Sequence, residues 1–187
     1  MHLLRGSYAG VLVGLLLVSA AEPSAGGSID AVFADGFETP NGCDPDFGEP
    51  DSEAAAFDLG QTDDCDENIA QAAGVLGSSG DIDFFRVSAS DELFCTFAPV
   101  LAVSATAPLR TCIYFECMEG TVSLSCADGT SPATSSLGRP GCCATGSSLQ
   151  LMPDASCTGS VGDDMHAFVR LDAASETCVG YTVDLHF

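Results

Sequence analysis

The sequence predicts an all-β fold, a sandwich or a barrel, on three observations. Apolar runs are short and recur at a spacing of roughly ten residues, split by turn residues. The closing run alternates: Tyr181, Val183, Leu185 and Phe187 fall on one face, and Thr182, Asp184 and His186 on the other. No segment carries a long amphipathic helical period, and no internal repeat is present.

The chain begins with an export signature. Met1 to Arg5 holds one positive charge, residues 6–21 hold none, and their centre reads VLVGLLLV before small residues at Ser19, Ala20 and Ala21. The rival, a membrane anchor, needs about 20 apolar residues, more than this glycine- and serine-containing run supplies. The expectation is a cleaved signal peptide at 1–21, with no membrane span left after cleavage. Residues 22–48 then read as a flexible linker rich in Pro, Gly, Ser and Asp. A short apolar segment, IDAVFADGF at 29–37, interrupts it and is expected to pack on the domain or pair at a sheet edge.

The domain is expected over 49–187. Residues 54–59 form a weak strand, and 69–76 another that ends at a Gly-Ser-Ser-Gly turn. Residues 84–87 are short and aromatic. The run 93–105 contains Pro99, where it must bend or split. Residues 112–117 (CIYFEC) are strongly β-forming, and 122–126 follow a Glu-Gly turn. Residues 128–146 read as loop, 149–152 as a brief apolar run, and 167–171 and 181–187 as the closing strands.

Ten cysteines remain after signal cleavage: Cys43, Cys65, Cys95, Cys112, Cys117, Cys126, Cys142, Cys143, Cys157 and Cys178. Such density points to disulfides and an oxidising compartment: secreted, periplasmic or cell surface. Zinc is the rival, but no Cys-x-x-Cys pair occurs, and His166 and His186 are the only histidines past the signal. The connectivity cannot be read from so many pairings. Locally, Cys117 and Cys126 flank Gly120 and are expected to face each other across a hairpin. Adjacent Cys142 and Cys143 should go to different partners, because a bridge between neighbours strains the geometry.

Charge narrows the partners. The chain holds 5 arginines, no lysine and 27 acids, a net charge of -22. Scattered arginines cannot bind a phosphate backbone, so nucleic acid is excluded, and anionic membrane surfaces are disfavoured. The absence of Trp removes the best stacking platform for sugars or cations.

Several landmarks occur in order. Glu49-Pro50-Asp51-Ser52-Glu53-Ala54 is followed by Leu59-Gly60, then by Gly80-Asp81-Ile82-Asp83-Phe84-Phe85-Arg86-Val87. Ile113-Tyr114-Phe115-Glu116 leads to Gly120, and Phe168-Val169-Arg170-Leu171 and Tyr181-Thr182-Val183-Asp184-Leu185 close the series. Together they resemble the bacterial pre-peptidase C-terminal (PPC) domain, in a disulfide-rich variant standing without a catalytic domain. The opening lacks the family's usual Asn, and His166-Ala167 stands where a Gly-x-Tyr-Tyr lead is usual. The resemblance implies an antiparallel β-sandwich of jelly-roll type, non-catalytic, serving secretion, targeting or attachment. It also implies a calcium site at Glu49, Asp51, Asp81 and Asp83. Calcium takes several oxygens at 2.3–2.6 Å, and Asp81 and Asp83 can project the same way from an extended segment. The plainer reading is that these acids cap turns and face water.

Other chemistry is thin. Asp64-x-Asp66-x-Asn68 imitates the start of an EF-hand loop, but Ile69 replaces the glycine and Val75 the final Glu. No Gly-x-Ser-x-Gly, His-Glu-x-x-His or phosphate loop is present. His166 and His186 read as structural or surface residues. Arg86 and Arg170, set among strand residues, should make ion pairs that fix strand register. The expected function is therefore a non-enzymatic module that binds an extracellular protein or polymer. One alternative is a small hydrolase using Asp163 and Asp164 with Glu116, which requires carboxyls about 5 to 9.5 Å apart in a cleft. Another is a secreted inhibitor presenting loop 128–143, where Arg139-Pro140 would be a poor protease bait.

Overall fold

The computed structural model describes residues 50–65, 68–173 and 178–187. The expected signal, the linker with its apolar segment, Glu49 and Cys43 lie outside the described residues.

A single turn of 3-10 helix at Glu53–Ala55 precedes ten strands. They are β1 (Phe57–Asp63), β2 (Ala70–Leu76), β3 (Ile82–Ser90), β4 (Val100–Cys117), β5 (Thr121–Ser125), β6 (Ser131–Thr134), β7 (Pro140–Leu151), β8 (Asp154–Thr158), β9 (Met165–Ala173) and β10 (Val179–His186). The all-β expectation is met. The main sheet runs β1-β3-β9-β4-β10-β2, with β7 also on β4 and β6 on β7; β5 and β8 form a separate pair.

The strand β4 makes this one sheet into a sandwich. Its first part, as far as Ala105, pairs with β10; from Leu109 onward it pairs with β9. β7 follows it on the other side, with a register shift between Ser104 and Leu109. Pro108 falls inside that gap, where its missing N–H removes no ladder bond. The two halves face each other across one core. Phe85 and Val87 of β3 and Val169 and Leu171 of β9 share it with Leu101 and Val103 of β4 and Val183 and Leu185 of β10. Phe85 meets Tyr181 edge-on across the core, ring centroids 6.3 Å apart. The last strand follows its alternation: Tyr181, Val183, Leu185 and Phe187 are buried.

Several expectations need correction. One pair is parallel: β1 runs alongside β3. The chain between them passes through β2, the crossover that parallel pairing requires. Residues 93–99 lie outside any strand, so the long run splits at Pro99. Residues 54–59 divide between the 3-10 turn and β1. The expected loop at 128–146 holds β6 and the first half of β7. Pairing of β7 with β4, and of β6 with β7, overrides a small, polar sequence there. Gly141 is required at this contact, because a Cβ would come within 2.4 Å of Tyr114 Cδ1.

Disulfides join Cys65 to Cys95, Cys112 to Cys143, Cys117 to Cys157 and Cys126 to Cys142; Cys178 is also disulfide-bonded. These bonds indicate an oxidising environment. Cys117 and Cys126 do not face each other, because the strand between them pairs with β8 rather than folding back on β4. Cys142 and Cys143 do take different partners: successive residues of β7 project to opposite faces. Among the described residues, no helix is long and apolar enough to cross a membrane.

Candidate functional site

Strand alternation builds the site on the outer face of β3, β9 and β4. β3 sends Phe85, Val87 and Ala89 into the core, so Arg86 and Ser88 project outward. β9 buries Met165, Ala167, Val169 and Leu171, which leaves His166, Phe168, Arg170 and Asp172 on the outside. β4 likewise presents Arg110, Cys112, Tyr114 and Glu116. Register then sets neighbours: Arg86 lies opposite Phe168, Ser88 opposite His166, and Glu116 opposite His166.

The 3-10 turn and the β6–β7 turn close over this face. Cys112, Cys143, Tyr114 and Phe168 form a small second core with Ala56 and Ala133. Arg139, from the β6–β7 turn, lays its guanidinium 4.0 Å above the Phe168 ring. It donates from Nη1 to Glu53 Oε1 at 2.8 Å, and from Nε and Nη2 to Glu116 Oε2 at 2.8 and 2.6 Å. The Glu53 side chain is wholly buried. It also accepts from Ser136 Oγ at 2.9 Å and from the Leu137 amide at 3.0 Å.

These contacts set the protonation states. Burial alone would push the Glu53 carboxyl up; bonds from Ser135, Arg139, Ser136 and Leu137 outweigh it and hold the group below its ordinary value of 4.5. Burial opposes the charge on Arg139 as well, but Glu53 and Glu116 hold its pKa above the usual value. Asp58 follows the same pattern: partial burial raises it, and Arg86 with the Gly60 amide brings it below its ordinary value.

All four arginines among the described residues share this face. Arg86 pairs with Asp58 across β3 and β1, Arg110 with Asp172 across β4 and β9, and Arg170 with Asp172 along β9. The expected cross-strand ion pair is present for Arg86; Arg170 is also paired, but within its own strand, where the pair cannot fix register. Beside them opens a cleft of about 400 Å³ whose lining includes Glu53, Arg86, Glu116, Met118, Arg139 and His166. His166 Nδ1 lies 3.0 Å from Ser88 Oγ. The cleft offers guanidinium and carboxylate edges to a polar ligand.

Of the four acids expected at a calcium site, three lie among the described residues. Asp51 is exposed. Asp81 Oδ2 accepts from the Gly77 amide at 2.5 Å. Asp83 is fully buried on the core side and accepts from the Tyr181 hydroxyl. Among the described residues these three join no cluster of ligand atoms; the one such cluster is Asp64 with Cys65 and Cys95, whose sulfurs are joined in a disulfide. The carboxylates proposed for hydrolysis are committed elsewhere. Asp163 accepts from the Cys157 amide at 2.5 Å, Asp164 from the Asp91 amide at 2.8 Å, and Glu116 holds Arg139. Arg139 is folded onto Phe168 rather than presented as bait.

Sequence reasoning passed over the role of Glu53, read Arg139 only as a poor protease bait, and missed the clustering of the arginines. The spacing of His166, Phe168 and Arg170 was the available signal, since residues two apart share a face. No family model matches the chain, and neither a curated protein nor a solved structure matches it.

Proposed function

We propose that this protein is a secreted, non-catalytic β-sandwich module, working in the periplasm, at the cell surface or outside, that attaches to an extracellular protein or polymer. One observation carries the proposal: a chain of net charge -22 gathers all its described arginines on one sheet face, beside a polar cleft. Elsewhere the acidic surface repels acidic partners; on this face each guanidinium offsets the local field. The pairing of each arginine with a carboxylate makes the face a mosaic of both signs, suited to polar recognition with little rearrangement. The ordered resemblance to PPC domains from Glu49 to Phe187 supports an attachment role.

The test is retention of the oxidised protein on insoluble cellulose, chitin, peptidoglycan and collagen, at low and high salt. Alongside it runs the Arg86→Glu/Arg110→Glu variant. Retention on one of these matrices that the variant loses is the expected result. Equal retention of both proteins, no retention anywhere, or release of soluble fragments from a matrix would overturn the proposal.

A further inference from the structure

A second surface lies at one end of the same sheet half. Asp63 of β1 pairs with Ser90 of β3, and both Ala89 of β3 and Cys117 of β4 pair with Met165 of β9. Four strands therefore start or stop together, and the segments 91–99, 118–120 and 159–164 converge there.

These segments are braced to one another. The Asp91 amide donates to Asp164 Oδ1 at 2.8 Å, and the Asp163 amide donates back to Asp91 Oδ2 at 3.0 Å. The Glu92 amide donates to Asp64 Oδ1 at 2.8 Å, and the Met118 amide to the Asp164 carbonyl at 3.0 Å. The Cys65–Cys95 disulfide ties the first segment to the end of β1. The side chains on this braced frame are apolar and turned outward: Leu93 is 84% exposed, Phe94 101% and Val161 110%, with Met118 half exposed beside them.

Phe94 combines two unfavourable features. Its ring is in water, and its φ is 79°, the only positive value on a non-glycine residue among the described residues. A bulky side chain in that region is strained. The bracing fixes the backbone beneath the ring, so ordering the loop on contact loses little further backbone entropy. Aromatic anchors of this kind, seated in a partner's pocket, dominate interface energetics. The rim is acidic, with exposed Glu92, Glu119 and Asp164. Anionic lipid would be repelled by it.

We infer that Leu93, Phe94 and Val161 form a preorganised docking tip for a protein partner whose apolar pocket is rimmed by lysine or arginine. The tip goes beyond the arginine-bearing face and stands on different residues, although Met118 also lines the cleft. Charge complementarity at the rim steers such a partner in, and the apolar centre holds it.

The experiment uses the oxidised full chain and three labelled peptides of equal length, alternating leucine–lysine, leucine–glutamate and serine–lysine, read by fluorescence anisotropy. The leucine–lysine peptide should bind at least about tenfold tighter than the other two, and Leu93→Ser/Phe94→Ser should weaken it by about tenfold. Phe94→Gly keeps the loop and relieves the positive φ, so it should weaken the peptide while the melting temperature holds or rises. A merely structural phenylalanine would not give that combination. Unchanged peptide affinity in both variants overturns the inference. So does stronger binding to zwitterionic or cationic vesicles than to the peptide, or a dimer in sedimentation velocity that the double serine variant dissociates. The arginine-face variant Arg86→Glu/Arg110→Glu should leave peptide binding in place, so failure of one surface is separable from failure of the other.

Discussion

Arg139 and Phe94 sit on short loops at the same half of the sandwich, and they are turned opposite ways. Arg139 is folded inward, its guanidinium on Phe168 and its three nitrogens each donating to Glu53 or Glu116. Phe94 is turned out, fully exposed in a strained backbone conformation. The usual expectation would reverse them, with the charge in water and the ring inside. Where the charged side chain is mostly covered, both carboxylates beside it are used in holding the fold. Where the apolar one is exposed, the hydrogen bonds and the disulfide hold the loop itself and leave the ring unused. The first region explains itself as architecture; the second calls for a partner.

The largest effect separates the disulfides beneath the two regions. Cys112–Cys143 closes 31 residues and Cys65–Cys95 closes 30, so chain entropy alone would make them equal, each near about 3.7 kcal/mol. Cys112 and Cys143 are buried against Tyr114 and Phe168, whereas Cys65 is exposed. Replacing the first pair by alanines adds a cavity, and the loss should reach about 4–6 kcal/mol. Replacing Cys65 and Cys95 should cost about 2–3 kcal/mol, because the 91–99 segment can open locally. Guanidinium unfolding of the two double variants reads both numbers. Equal losses would erase the distinction between clasp and tip.

Next comes the clasp itself. Glu53→Ala strips Arg139 of its buried partner and takes from the Leu137 amide the closer of its two acceptors, leaving Ser135 Oγ at 3.3 Å, at a cost of about 3–5 kcal/mol. The same carboxyl sets an acid limit. Its folded pKa lies below the ordinary 4.5, so its stabilisation is fully present above that value and is lost as pH falls through the lower, folded one. Urea midpoints measured from neutral pH down through that window should fall for the wild type. Glu53→Gln, which cannot titrate, should remove part of the slope. An unchanged slope would mean that other carboxylates govern acid unfolding.

The part of this that the sequence made legible follows from its physics. Alternation at Tyr181 to Phe187 needs only neighbours in the chain, and it correctly announced a sheet with one dry face. Pro99 and the paired Cys142 and Cys143 were readable for the same reason. The β6–β7 region was not, because its Gly, Ser and Thr residues form strands only through pairing: β7 on β4, across more than twenty residues of chain, and β6 in turn on β7. The clasp was hidden for a related cause. Glu53, Glu116 and Arg139 are joined by register and by a turn folded over the sheet, and neither is encoded in local spacing. The place of one expected calcium acid follows from a local cause: Asp83 alternates onto the core face with Phe85 and meets Tyr181 there.

The smallest expected effect on stability is the one that best tests function. Arg86 and Asp58 are 38% and 50% exposed, so their ion pair should contribute less than about 1 kcal/mol. Arg86 Nε is buried with no hydrogen-bond partner among the described residues, a desolvation cost that truncation removes. Arg86→Ala should therefore shift the unfolding free energy by no more than about 0.5 kcal/mol in either direction. The side chain nonetheless lines the cleft and carries one of the four positive charges on the face. A variant with an unchanged unfolding curve and reduced retention on the matrix that holds the wild type would place Arg86 in binding. A destabilised variant with full retention would return it to the architecture, beside Arg139.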